Sequence, residues 1–345
     1  MIMLSMDWFE RLTGFHEADY AQTQAQLSVE GGQLVSRASS RRCGVGRLEV
    51  VSLQRLRERA GARPTAGQRT TVHSVVGDAR ALHAEPALAG ALFQVASQFN
   101  LLEMVSPDVT PEQGVTRYAF DRTQGPACAM AAGGATIYRN YLAPVQGQPG
   151  QTATRQIDAL LPLGEALAAQ LGCTVGDLWT MRNGYALCTA PGLAAISTWL
   201  RLASSEQLDD LRGRLCIGLH HDVEVTDAAR PGGPGQVVSQ AFCSALPVAY
   251  SAVAPAAWEA FARLVLEAAY EATLRAAALR HADGASPTVL LTRLGGGAFG
   301  NDDAWIDDAL SRALGLVSAA GLDVRLVSYG RAHPSHLALE RLHAA

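Results

Sequence analysis

The sequence predicts an α/β protein built around a layered sheet, and three observations carry that expectation. From Thr70 onward, apolar β-prone runs alternate with helical stretches, the pattern of strands interleaved with helices. Several runs are apolar-rich, as strands covered on both faces tend to be. The stretch from Pro287 to Tyr329 sets a strand (PTVLLTRL), a glycine turn (GGGAFG), an amphipathic helix and a second strand (DVRLVSY) in succession.

In chain order, the first sixty or so residues read as a short helix around Trp8 to Leu12, a run QLVSR, a turn SSRRCGVG, and a run RLEVVSL that continues into the basic stretch QRLRERAG. This is a hairpin-like appendage spanning 1–66, closed by the boundary at Pro64 to Gly67. TVHSVV then reads as a strand ending at Gly77-Asp78, and ALFQVASQF as one ending at Asn100. A polar, turn-rich passage from Ser106 to Gly125 precedes a small-residue helix that starts at Pro126 and ends near Gly133-Gly134. An insertion of about 146–235 carries helices around a strand near Trp179 to Cys188, then the strand CIGLHHDVEV and the loop AARPGGPG. VVSQAFCSALPVAY follows, then a long alanine-rich helix from Ala254 to His281, the glycine-turn segment, and a closing helix HLALERLHAA. Residues 67–345 form the expected core.

With 345 residues, 48% of them hydrophobic, the chain can bury a large core. Its 28 basic and 32 acidic side chains leave a formal charge of -4, with no basic stripe for a nucleic-acid backbone, so direct nucleic-acid binding is not expected. Six widely spaced cysteines without a CxxC pair read as reduced and buried. MIMLSMDWFERLTGF lacks a basic region ahead of its apolar residues, and no apolar run is long enough to cross a bilayer. The expectation is a cytoplasmic protein without membrane contact or cofactor.

The glycine turn points to phosphate. The first amides of a helix have no backbone partner, and the macrodipole favours an anion there. Gly295, Gly296 and Gly297 let an oxygen approach the main chain, Ala298 and Phe299 continue the turn with a flat apolar face, and Gly300 admits the chain to the helix near Asp302. Asp302 and Asp303 suit a helix start, with their carboxylates turned away from the anion. Arg122, Gln124 and Gly125 precede a second helix start whose amides are placed for another phosphate.

The segment LTRLGGGAFGND, with its helix and the strand LVSY, resembles the phosphate-loop region of macrodomains, and most closely that of the poly(ADP-ribose) glycohydrolases. VVGDARALH resembles the macrodomain Gly-Asp turn, and FQVASQFN resembles the family's strand that ends in asparagine near the distal ribose. The resemblance implies a three-layer α/β/α mixed sheet, ADP-ribose or an ADP-ribosylated macromolecule as ligand, and hydrolysis at the distal ribose. It places Asp78 at adenine, Asn100 at the ribose, and Gly295 to Gly300 at the diphosphate. Tyr329 would stack on adenine or ribose. The sequence departs from the pattern after Asn100: a longer polar stretch replaces the compact first glycine loop, and no adjacent Glu-Glu pair stands beside Gly133 and Gly134, which are counted with the ligand contacts. Glu103, the carboxylate nearest the expected ribose, takes the catalytic position with Asn100.

Two alternatives stay open at this stage. A non-catalytic ADP-ribose-binding module would keep the glycine loop and Asp78. A cysteine hydrolase would use Cys128 near a helix N-terminus, with His220 or His221 as base and Asp222 behind it. Tyr138, Arg139, Asn140 and Tyr141 form a polar-aromatic cluster in which Arg139 is a candidate phosphate clamp. Adjacent histidines on a strand face opposite ways, so no metal site is expected there.

Overall fold

The computed structural model of the chain describes residues 6–61, 67–227 and 235–344. It begins with two short helices, α1 (Trp8–Thr13) and α2 (Tyr20–Ala25). Asp7 and Asp19 open them by accepting from the Glu10 and Gln22 amides, which satisfies one orphan N–H at each start. An antiparallel three-stranded sheet follows, made of β1 (Leu27–Glu30), β2 (Gln33–Ser36) and β3 (Ser39–Gly44). The segment expected as the turn SSRRCGVG is therefore mostly strand. Cys43 lies opposite Leu34 and both are buried, which holds the segment extended. The chain continues through β4 (Arg47–Ser52) into α3 (Leu53–Gly61).

The core elements then come in order. β5 (Thr71–Val76) leads to α4 (Ala79–His83), and β6 (Leu92–Ala96) leads to α5 (Gln124–Ala131) and α6 (Gly133–Tyr141). A small ribbon of β7 (Pro144–Val145) and β8 (Gln148–Pro149) is followed by α7 (Leu161–Leu171) and α8 (Val175–Leu178). The hairpin β9 (Trp179–Arg182) and β10 (Tyr185–Cys188) precedes α9 (Ala190–Leu202) and α10 (Ser205–Arg214). The chain returns through β11 (Cys216–Glu224), β12 (Val237–Cys243), α11 (Glu259–Ala282), β13 (Thr288–Leu291), α12 (Asp303–Leu316), β14 (Asp323–Ser328) and α13 (Pro334–Ala344).

Seven strands form the central sheet in the order β4-β11-β12-β6-β13-β14-β5. The five from β12 to β5 are mutually parallel, while β11 runs antiparallel to both β12 and β4. The expected mixed α/β architecture is present. β4 lies within residues 1–66 and β11 within the insertion, yet both are strands of this sheet. The boundary expected at Pro64 to Gly67 and the loop AARPGGPG fall largely outside the described residues.

Alternate side chains of a strand point to opposite faces, and β13 shows what covers each. Val289 and Leu291 join the large cluster with Phe261, Leu264 and Val265 of α11 and Ile306 and Leu310 of α12. Leu290 packs on the other side with Phe93, Ala132 and Ala135. The run TVLL is wholly buried, as a strand covered twice must be. On the α11 side a buried ion cluster joins the helices: Glu271 accepts from Arg57 of α3, Arg312 of α12 and Arg275 of its own helix, at 2.7 to 2.8 Å. Burial alone would raise the Glu271 pKa, but the three guanidinium groups outweigh it and hold the carboxyl at about 2.

The parallel strands bring their carboxyl ends to one edge, where ligands of open α/β sheets bind. At that edge β6 and β13 part: they pair only at Leu92 with Val289 and Phe93 with Leu290. Beyond that point the Gln124 side chain occupies the ladder, accepting from the Ala96 N–H at 2.9 Å and donating to the Gln94 carbonyl at 2.8 Å. The start of α5 is thereby fastened to the end of β6.

Candidate ligand-binding and active site

In the crevice where β6 and β13 part lies a cavity of about 150 Å³ that opens to solvent, a concave position of the kind small ligands use in α/β sheets. The turn after β13 contributes Gly295, Gly297, Ala298 and Phe299; the start of α5 contributes Gln124 and Gly125; the turn after β6 contributes Gln98 and Glu103. Three segments more than a hundred residues apart in places thus share one space.

The glycine turn is shaped for this. Gly295 and Gly300 have φ of 75° and 69°, a region that favours glycine. A Cβ on Gly295 would stand 2.5 Å from that of Ala245, so this glycine is also required by packing. Gly296 and Gly297 do not use positive φ, and a side chain on Gly297 would meet open space. Among the described residues, the amides of Gly297, Ala298 and Phe299 have no protein acceptor. The aspartates beyond are occupied as expected: Asp302 accepts from Ala304 N–H at 2.8 Å, and Asp303 accepts from Arg293 at 2.7 Å. Phe299 joins Tyr185 and Tyr250 in an aromatic cluster with ring centroids 5.1 to 5.6 Å apart, and all three line the cavity.

Glu103 is the notable acid. It is 3% exposed, lines the cavity, and one of its carboxyl oxygens, Oε1, has no hydrogen-bond partner. Burial pushes its carboxyl well above the usual carboxylate range; the Arg139 charge opposes the rise and Asp121 adds to it. Burial therefore biases this carboxyl toward its protonated form. The turn that places it is tight: Leu101 has φ 63°, uncommon for a non-glycine residue, and its side chain fills the space above Gly218.

Asn100 is at the start of that turn but fully buried, and it is absent from the cavity wall. Its amide donates to Gln156 Oε1 at 2.8 Å and accepts from Leu102 N–H at 3.1 Å, so it is engaged in holding the turn. A relay continues from Gln156 to Asn183 Oδ1 at 2.9 Å, and from Asn183 to the Pro107 carbonyl at 2.7 Å. Tyr185 donates to the Met104 carbonyl at 2.6 Å. The β9–β10 hairpin of the insertion thus braces the turn on both sides of Glu103.

The other expected contacts divide. Asp78 caps α4 through the Ala81 amide at 2.9 Å and is exposed at the sheet edge, outside this cavity. Tyr329, 82% exposed, lines a neighbouring depression with Thr292, Arg293 and Arg331; Thr292 and Arg293 also border the main cavity. Arg122 is exposed and not in the wall, nor are Gly296 and Gly300. Gly133 and Gly134 require correction: they open α6 and are packed against the N-terminal segment. A Cβ on Gly133 would lie 2.5 Å from Leu12 Cδ1, and one on Gly134 would lie 2.8 Å from Cys43 Cβ. Arg139 is likewise no phosphate clamp. It is fully buried over the Phe242 ring at 3.9 Å and bonds Leu101 O, His220 and Thr136.

Cys128 is fully buried and burial raises its thiol well above the ordinary value, which opposes thiolate formation. His220 faces Arg139, and His221 faces Arg280 and Glu49, so neither is bonded to that thiol. Among the described residues, Asp7, Glu10 and His16 bring potential metal-ligand atoms within 4.8 Å of one another, but none lines the cavity. No helix among these residues is long and apolar enough to cross a membrane.

No protein-family model matches the chain, and no curated protein does. Among solved structures it is similar to poly(ADP-ribose) glycohydrolase from Deinococcus radiodurans in complex with ADP-ribose, at 12% identity and a TM-score of 0.45, covering 86% of this chain and 93% of that one. It is also similar to poly(ADP-ribose) glycohydrolase from Thermomonospora curvata, at 13% identity and a TM-score of 0.44, covering 92% and 94%.

Proposed function

We propose that the chain binds ADP-ribose and hydrolyses the bond between its distal ribose and a modified group. The observation that carries this reading is the shared cavity: the open amides of Gly297 to Phe299, the start of α5 at Gln124 and Gly125, and the buried Glu103 carboxyl all border it. The first two supply N–H donors and helix-start fields for a diphosphate. The third supplies a proton. The ligand itself follows from the phosphate-loop resemblance of LTRLGGGAFGND.

In this mechanism the diphosphate lies on the glycine turn and the distal ribose reaches toward Glu103, so binding energy remote from the reacting carbon orients it. Glu103 gives its proton to the leaving atom as the glycosidic bond breaks, and that atom keeps the electron pair. A water oxygen bonds the anomeric carbon, and a water proton returns to Glu103. A buried carboxyl at the cavity wall whose surroundings favour its protonated form suits the first step, which favours a hydrolase over a binding module.

Calorimetry with ADP-ribose, ADP, ATP and NAD, together with a turnover assay on an ADP-ribosylated substrate, tests the reading. Selective heat for ADP-ribose is expected, weakened ~10-fold or more by Gly297→Glu through repulsion of the phosphates. Unchanged affinity in that variant would remove the phosphate-loop assignment, because the new side chain meets no protein atom.

A further inference from the structure

The polar stretch after Asn100, which stands where the resembled family has a compact glycine loop, builds a second cavity. Its wall consists of Val109, Gly114, Arg117, Tyr118 and Phe120 together with Glu103, Met104, Val105 and Asp121, and these last four also border the first cavity. Glu103 therefore stands between two spaces, with the glycine turn on one side and this wall on the other. The geometry points to the second cavity as the seat of the departing group, and to that group as a flat aromatic ring joined to the distal ribose. This rests on the proposed ADP-ribose reading and adds the substrate class to it.

Three observations support the assignment. The wall is predominantly apolar, and Phe120 at 86% and Val105 at 53% exposure are among the most exposed large apolar side chains of the described residues, both at this one opening. An aromatic face open to solvent offers a ring a stacking partner. The wall is also fixed from behind. Glu17 accepts from the Val115 and Thr116 amides at 2.8 and 2.7 Å, Trp8 Nε1 donates to Thr116 O at 3.2 Å, and Asn140 donates to Pro111 O at 3.1 Å. Gly114 lies so near Glu17 that a Cβ there would be 2.4 Å from its carboxyl carbon. Finally, Tyr118, which accepts from the Glu103 N–H at 2.9 Å, couples this wall directly to the acid. The acid can thus deliver its proton to a nitrogen or oxygen leaving into this space, which takes the electron pair of the broken bond.

The test compares two probes on the full chain: ADP-ribose carrying a 4-nitrophenoxy group at the distal anomeric carbon, and the same molecule carrying methoxy. Phe120→Ser, at an exposed position, is expected to raise KM for the aryl probe ~10-fold while leaving the methoxy probe and ADP-ribose heat within about twofold. Val109→Ser, which borders only the second cavity, is expected to act in the same direction. Equal effects on both probes, or no effect on either while ADP-ribose still binds, would overturn the leaving-group cavity alone. Loss of ADP-ribose heat in the unaltered chain would overturn the underlying reading with it.

Discussion

Gly125 stands against Glu103 so closely that a Cβ at position 125 would lie 2.1 Å from the glutamate Oε2, and equally 2.1 Å from the Ala96 carbonyl oxygen. Neither a backbone carbonyl nor a buried carboxyl can yield that much space. The helix start and the acid are therefore fitted to each other by the absence of one carbon. Gly125→Ala should lower turnover by ~100-fold or more by displacing Glu103 and cost ~1–3 kcal/mol of stability through overpacking. Kinetics and denaturant unfolding of the same preparation would show both effects; full activity would mean that Glu103 does not act from this position.

Glu103→Gln keeps the shape of the side chain and removes its proton chemistry. Turnover should fall ~10²–10⁴-fold with ADP-ribose affinity retained. The wild-type rate should decline as pH rises through the elevated Glu103 pKa, a limb the variant lacks. Stability gives a second readout with a definite sign. A carboxyl whose folded pKa lies above its unfolded value binds more protons in the native state, so its contribution is complete below the unfolded pKa and is lost as pH climbs toward the folded one. The melting temperature of Glu103→Gln relative to wild type should therefore rise from pH 5 to pH 8.

Asn183→Ala would cut the relay between the insertion hairpin and the Glu103 turn at two bonds, those to Gln156 and Pro107 O. We expect kcat to fall ~10-fold with ADP-ribose affinity nearly unchanged, because the glycine turn is untouched. A matching loss in KM and none in kcat would assign the hairpin to binding instead.

Glu271→Gln leaves Arg57, Arg275 and Arg312 without their shared counter-charge in the helical layer. Breaking such a buried arrangement costs ~3–5 kcal/mol, which urea titration at neutral pH would register. The sign opposes that of Glu103: the Glu271 pKa is depressed to about 2, so its stabilisation is present above the ordinary glutamate range and disappears as pH falls toward 2. The stability gap between the variant and wild type should close on acidification.

Much of this was legible in the sequence. The strands LFQVA and TVLL were visible because twice-covered strands are nearly all apolar, TVHSVV and DVRLVS because β-branched and apolar residues recur in short runs, and the glycine turn because no other residue takes the φ of Gly295 and Gly300 cheaply. Glu103 could be picked out as a carboxylate near the end of β6, but not its burial, which depends on Gly125 and Tyr118. Gly133 and Gly134 were misassigned because what fills the space beside them, Trp8, Leu12 and Cys43, lies about ninety or more residues upstream. Tyr185 and Tyr250 were missed altogether. One local signal was available: Asn183-Gly184, with φ of 47° and 80°, is the dipeptide of a tight hairpin, and reading it would have put Tyr185 at the start of a returning strand.

The bonds from Glu17 to Val115 and from Trp8 to Thr116 span 98 and 108 residues of chain. The outer rim beside the acid is therefore held from the start of the chain, and a chain shortened there would retain most of the sheet yet lose the supports of the rim that gives the departing group its place.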